Sequence, residues 1–195
     1  MARIPYRTVE DLAPENKDLL KRGIALHRAL VNSPGGARAF QGLGQYIRYG
    51  SKLDPRLREI AILQVGWLAQ SAYEWSHHVK IGMDFGVTES DIRAIMAGDD
   101  AALEPRAQLV LRAAREMAAG PGTSQVTHDA LAAEFDTEHL TDLILVIGFY
   151  CAVVRVLASL AIDVEPDYQP YLDRFPLKST DRSLDRSEAA NAARR

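Results

Sequence analysis

The twenty residues from Leu143 to Ile162 are mostly apolar, broken by Arg155 and by the scattered Gly148, Tyr150, Cys151 and Ser159. A helix that is apolar nearly all round has two homes, the centre of a protein core or a lipid bilayer. No second run of this kind exists in the chain. A buried helix is therefore expected, with no membrane partner, and the remaining chain has to supply the surfaces that cover it.

Those surfaces read as helices. Leu19, Leu20, Ile24, Leu26 and Leu30 recur at helical spacing across residues 15–31, and Pro34-Gly35-Gly36 reads as the stop. A second segment spans about 37–49. Pro55 suits the first turn of a third segment, which carries Leu57, Ile60, Ala61, Leu63 and Trp67 to about Ala69. Ser71 opens the next segment, with Glu74 placed for a capping box and Gly86 as terminator. Thr88 begins a short helix that stops at Gly98, Pro105 begins one through Met117, and another covers about 127–134. Thr137 is a candidate cap for the long apolar helix, about 137–162. Pro166, Pro170 and Pro176 predict an extended or irregular stretch. No alternating pattern is long enough for a strand, so the fold class is all-α: one helical domain over 1–175 and a polar tail over 176–195 that is either solvated, a marginal helix, or an arm on another subunit.

Composition narrows the partners. The chain has 195 residues, 47% hydrophobic and 25% charged, with a formal net charge of -3. That is ordinary for a soluble globular domain and lacks the basic excess of a nucleic-acid binder. One cysteine, Cys151, forbids an internal disulfide and reads as an inert small hydrophobe inside the apolar helix. Met1 to Tyr6 holds no long apolar run, so no signal peptide is expected, and a cytoplasmic setting fits.

Chemistry concentrates around Glu59 and the stretch Ser71-Ala72-Tyr73-Glu74-Trp75-Ser76-His77-His78. Glu74 and His78 are four apart and share one helix face. A carboxylate beside an imidazole sets up proton transfer near neutral pH. Each residue also has a structural role open to it. Ser71 caps a helix, and Glu74 completes the capping box. Glu59 lies either on the outer stripe of its helix or buried with a partner, where burial raises its pKa. Tyr73, Trp75 and Trp67 wall a pocket or fill the core. His77 points about 100° away from His78 on a helix, so the two do not form a metal fork. His27, His128 and His139 read as scattered surface residues. No phosphate loop, nucleophile elbow or dinucleotide fingerprint occurs, and neither a cofactor nor a metal is expected, although Glu59, Glu74 and His78 together would number enough ligands for one.

Arg56-Leu57-Arg58-Glu59-Ile60-Ala61-Ile62-Leu63, followed by Tyr73-Glu74-Trp75-Ser76-His77-His78-Val79, resembles the carboxymuconolactone decarboxylase family, whose superfamily includes the alkylhydroperoxidase-D-like proteins. Gly86 to Ile92 and Gly148-Phe149-Tyr150 with Arg155 add to the likeness. It is strongest over 53–120. In the peroxidase branch the motif is Cys-x-x-Cys-x-x-x-His with a Glu twelve residues before the first Cys. Laid on this chain, the Glu is Glu59, the His is His78, and the two Cys positions hold Ser71 and Glu74. Serine and glutamate do not cycle through a disulfide. The resemblance is thus to the non-cysteine, decarboxylase-like branch. It implies a carboxy-lyase of aromatic catabolism that works without a cofactor on a small carboxylated lactone or organic acid. His78, Glu59 and Glu74 are then the catalytic groups. Ser71, Tyr73, Trp75 and His77 contact substrate, with Arg155 offsetting its charge. It also implies a homo-oligomer: trimer, hexamer or dimer. The alternatives are a peroxidase or antioxidant role, a non-catalytic ligand-binding member, or, more remotely, a metal-dependent enzyme.

Overall fold

The helix that organises the molecule is α3, Pro55–Leu68, and its burial explains its sequence. Asp54 caps it by accepting a hydrogen bond from the Leu57 amide at 3.0 Å, with Pro55 in the first turn. From Leu57 to Trp67 every residue is buried, so α3 has no solvent face. Each large apolar side chain removed from water here contributes about 1.5–3 kcal/mol. The computed structural model describes residues 2–178, and the polar tail from 179 onward lies outside the described residues.

α3 is covered by α4 (Ala72–Asp84), α5 (Glu89–Ala97), α6 (Pro105–Ala119) and α8 (Thr137–Leu160). α7 (Gln125–Glu134) bridges α6 and α8. Ahead of them lie a 3-10 segment Pro14–Leu20, α1 (Ala25–Leu30), α2 (Pro34–Gln45) and a π-helical turn Tyr46–Gly50. Against α4 also lie a 3-10 turn Pro166–Tyr168 and α9 (Gln169–Arg174). Among the described residues there is no strand, and the all-α expectation holds.

α8 is the long apolar helix, and its length and composition would let it cross a membrane. Leu143, Val146, Ile147, Tyr150, Val153, Val154 and Leu157 face the interior, whereas Leu145, Gly148, Ala152 and Ser159 are exposed. The buried Asp142 accepts hydrogen bonds from the Tyr46 hydroxyl at 2.9 Å and the Ser51 hydroxyl at 2.5 Å, which pins the π-helical turn to α8.

Local boundaries depart from the periodicity in three places. The expected 15–31 helix is two pieces, because Gly23 adopts φ +20 and breaks the run. Pro34 starts α2 rather than ending its predecessor, since a proline lacks only an amide that a first turn leaves unused. Pro170 likewise sits in the first turn of α9, inside the stretch expected to be irregular. The cap of α8 is Asp136, one residue before Thr137, accepting from the His139 amide at 2.8 Å.

Candidate active site

α3 and α4 run side by side, and Gly82 lets them meet closely. A Cβ there would come within 3.1 Å of Val87 and 3.5 Å of the Glu59 Cβ. This contact brings Glu59 on α3 to His78 on α4. Glu59 is fully buried, the less usual of the two outcomes open to it. Its Oε2 accepts from His78 Nδ1 at 2.6 Å, and its Oε1 accepts from Arg58 Nε at 2.9 Å. The other ring nitrogen, His78 Nε2, stands 2.9 Å from Glu74 Oε1 in an ion-pair contact, one helical turn away on α4. Arg58, Glu59, His78 and Glu74 thus form one buried chain of alternating charge.

An imidazole set between two carboxylates is favoured as the imidazolium, with a proton on each nitrogen. Burial alone would push the His78 pKa down, but the two carboxylates outweigh it and raise it to about 9. Burial likewise works against the Glu59 anion, and the His78 and Arg58 charges hold its pKa below the usual carboxylate range. Arg58 also donates from Nη1 to the Arg48 carbonyl at 3.2 Å and packs over the Phe85 ring at 4.7 Å. Its Nη2 is buried without a partner. The Tyr150 ring meets His78 edge-on at 5.0 Å, and burial followed by the Glu74 and Glu59 charges drives its phenol pKa well up, so it stays protonated.

This chain opens on a cavity of about 300 Å³ lined by Glu74, His78 and Tyr150 at its buried end. Phe40 and Phe149, 4.8 Å apart, form an apolar wall. Lys21 and Arg22 are exposed at the rim, with Arg48 and His27 partly buried between rim and floor. Glu59 stands behind His78, out of the cavity. Both His78 nitrogens face carboxylate oxygens, so neither offers a lone pair to a cation. Among the described residues no other group of His, Cys, Asp and Glu is arranged to hold a metal.

The residues singled out in sequence separate into three groups. His78, Glu74, Tyr73 and His77 line the cavity, with Glu59 one bond behind. Ser71 caps α4, accepting from the Glu74 amide at 3.4 Å. The reciprocal half of the capping box does not form, because the Glu74 carboxylate goes to His78 instead. Trp75 is fully buried, donates from Nε1 to the Phe175 carbonyl at 2.8 Å and packs on Trp67, away from the cavity. Arg155 is exposed on a separate groove beside Cys151, donating to the Cys151 carbonyl; the cations at the cavity are Lys21, Arg22 and Arg48. His77 is wedged between the Tyr73 and Tyr168 rings at 4.1 and 3.5 Å and donates from Nε2 to Glu165 at 2.8 Å.

Arg58, Tyr150, His27 and Arg48 escaped notice as site residues. Arg58 had a signal, a second charge beside Glu59 in an apolar run. His27, expected on the surface, lines the cavity, and nothing in its local sequence marks that contact. The Cys151 thiol, whose pKa burial raises, faces the separate groove and is far from the thiolate a peroxidase needs.

Residues 34–116 match the Carboxymuconolactone decarboxylase family. No curated protein sequence matches this one. Several solved structures share the fold. An uncharacterised peroxidase-related protein described as an alkylhydroperoxidase AhpD core, from Ralstonia eutropha JMP134, superposes with a TM-score of 0.73 at 16% identity, covering 88% of this chain and 95% of its own. An uncharacterised peroxidase-related protein from Silicibacter sp. TM1040 gives 0.71 at 19% identity, covering 85% and 92%. The debrominase Bmp8, as a cysteine-to-alanine variant in complex with 2,3,4-tribromopyrrole, gives 0.69 at 18% identity, covering 90% and 98%.

Proposed function

Starting from a chain that carries a carboxymuconolactone decarboxylase-family segment on an AhpD-like helical fold, we propose that it is a cofactor-free acid–base enzyme that decarboxylates, or shifts a proton within, a small carboxylated lactone or organic acid. The observation that carries this reading is the Glu59–His78–Glu74 chain, with a hydrogen bond of 2.6 Å and an ion-pair contact of 2.9 Å, buried at one end and open to a small cavity at the other.

Glu74 is the group that meets substrate. One of its oxygens is held by His78, and the other has no protein partner among the described residues. In a proton shift, the Glu74 carboxylate takes a proton from the carbon next to a carbonyl and returns it at a second carbon. In a decarboxylation, the carbon–carbon bond breaks, carbon dioxide leaves, and the electron pair spreads into a dienolate. His78 passes its Nε2 proton to the Glu74 carboxylate, the Glu74 carboxylic acid so formed gives that proton to carbon, and solvent recharges His78. The protonated Tyr150 phenol donates to the enolate oxygen, the kind of placed donor that stabilises developing charge. Glu59 and Arg58 keep His78 oriented and charged between turnovers.

The test is carbon dioxide release from a panel of carboxylated butenolides, together with deuterium uptake at carbon from heavy water. Glu74→Gln is expected to lower both at least ~10²-fold. An unimpaired Glu74→Gln enzyme would remove Glu74 from the chemistry and the proposal with it.

A peroxidase reading is favoured by what two structural relatives are called. It would have to run without a cysteine pair, since Cys151 is the sole thiol. Peroxide consumption with a dithiol donor, lost in Cys151→Ser, would establish it. The exposed Leu145, Gly148, Ala152 and Ser159 stripe on α8 supports a homo-oligomer closed through this helix, which light scattering on the wild type and Leu145→Lys would test.

A further inference from the structure

The buried ion chain is anchored from outside itself. Arg58 bonds to Glu59 through Nε at 2.9 Å and, through Nη1, to the backbone carbonyl of Arg48 at 3.2 Å. That carbonyl belongs to the π-helical turn Tyr46–Gly50, which the Ser51 amide closes by donating to the Tyr46 carbonyl at 2.9 Å. Single π turns are rare and concentrate at functional sites. Asp142 on α8 holds this one. Its Oδ1 accepts from the Tyr46 hydroxyl at 2.9 Å and its Oδ2 from the Ser51 hydroxyl at 2.5 Å, one bond from each end of the turn. The Ser51 oxygen also accepts from the Leu53 amide at 3.1 Å. Gly50 completes the fit, because a Cβ there would come within 2.7 Å of the Tyr46 ring. Asp142 is buried, and among the described residues no cation pairs with it. A carboxylate buried without a cation is costly, and both bonds of this one go to the turn.

We propose that Asp142 is a positioning residue for the buried acid–base chain: by gripping Tyr46 and Ser51 it fixes the π-helical turn, whose Arg48 carbonyl holds Arg58 in place against Glu59. Glu59 is thereby shared between Arg58 and His78. The groups around His78 are Glu59 and, behind it, Arg58 from α3, Glu74 and His77 on α4, and Tyr150 from α8. Of these, Arg58 alone bonds to the turn among the described residues. The Arg48 side chain also lines the cavity from the turn itself. Loosening the turn takes the carbonyl from Arg58, weakens its hold on Glu59, and leaves more of that carboxylate's charge to His78. The consequence for turnover rests on the acid–base reading of Glu74; the placement of Arg58 does not.

Titration of the His78 ring by nitrogen-detected NMR, on the full chain, reads the effect without a substrate. Arg58→Met removes the cation outright and should move the midpoint upward from about 9 by about one pH unit, the lower end of what a close charge does. Asp142→Asn, Tyr46→Phe and Gly50→Ala should each move it the same way by less. Asp142→Asn keeps the shape of the side chain and one acceptor oxygen, and Tyr46→Phe keeps the ring. Gly50 is exposed and has no positive φ, so alanine is otherwise the better helical residue there and disturbs only the Tyr46 ring. Tyr46 is also exposed, so these two variants keep the test available whatever Asp142→Asn or Arg58→Met does to folding. In an Arg58→Met background the three substitutions should add nothing. An unchanged or lowered midpoint in all three, or an upward shift that persists undiminished in Arg58→Met, overturns the positioning role. If the midpoints move as expected while Glu74→Gln keeps full turnover, the acid–base reading falls and the positioning of Arg58 stands.

Discussion

His77 and His78 are neighbours on α4, both are buried, and each has a carboxylate within 2.8 Å, yet their charges are predicted to differ. His78 stands between two buried carboxylates, and its pKa rises to about 9. His77 meets one, the partly exposed Glu165, and burial outweighs that single partner, so its pKa falls. Glu165 is itself shared, accepting from the Ala25 amide at 2.7 Å and the Tyr73 hydroxyl at 3.2 Å. A buried imidazole is costly to charge, and one partly exposed carboxylate does not cover the cost where two buried ones do. The two residues therefore divide the work. His78 faces a cavity with a proton to move, and His77 ties α4, α1 and the C-terminal turn together between two tyrosine rings.

The largest effect expected on this contrast is Glu59→Gln. It leaves Arg58 and His78 buried with too little negative charge, which should cost about 3–5 kcal/mol in urea unfolding. A loss below that of an ordinary surface substitution would mean that the cluster is not charged as described. Glu74→Gln comes next. It should lower turnover at least ~10²-fold, the typical contribution of a placed acid or base, while costing stability less than Glu59→Gln.

Stability against pH should carry opposite signatures of the two histidines. The folded pKa of His78 is raised, so its contribution is fully present below the ordinary value of 6.5 and is lost as pH climbs through about 9. The folded pKa of His77 is lowered, so its contribution is present above 6.5 and is lost as pH falls below it. Unfolding midpoints across this range should decline on both sides, and His78→Gln should remove the alkaline decline alone. The smallest effect is Glu165→Gln, expected at about 1–2 kcal/mol because a partly exposed hydrogen bond is weakened rather than a charge stranded. Turnover in Glu165→Gln should stay within a few-fold of wild type. A collapse of turnover there would draw His77 into the chemistry and erase the contrast.

How much of this was readable beforehand follows from distance along the chain. Asp54-Pro55, Ser71 and Thr88 act within one turn, and the starts of α3, α4 and α5 were legible from them. The Glu74–His78 pair was legible for the same reason, being one turn of one helix. Glu59 reaches His78 across nineteen residues, and periodicity gave no view of whether it was buried; only the family likeness joined them. Arg48 and His27 lie on a π-helical turn and a short helix that reach α4 through tertiary packing, so the cationic rim was hidden and Arg155 was assigned the role instead. Proline at a helix start and proline as a helix stop look alike in sequence, which is why Pro34 and Pro170 misled.

The central claim is a protonated His78 held between two carboxylates at the floor of the cavity. Nitrogen-detected NMR of the histidine rings, followed from pH 5 to pH 10, observes that state directly. The account predicts that at pH 7.5 both His78 nitrogens carry protons, that the ring titrates near 9, and that His77 is neutral in the same spectrum. A neutral, single-tautomer His78 at pH 7.5, titrating at or below 6.5, would contradict it.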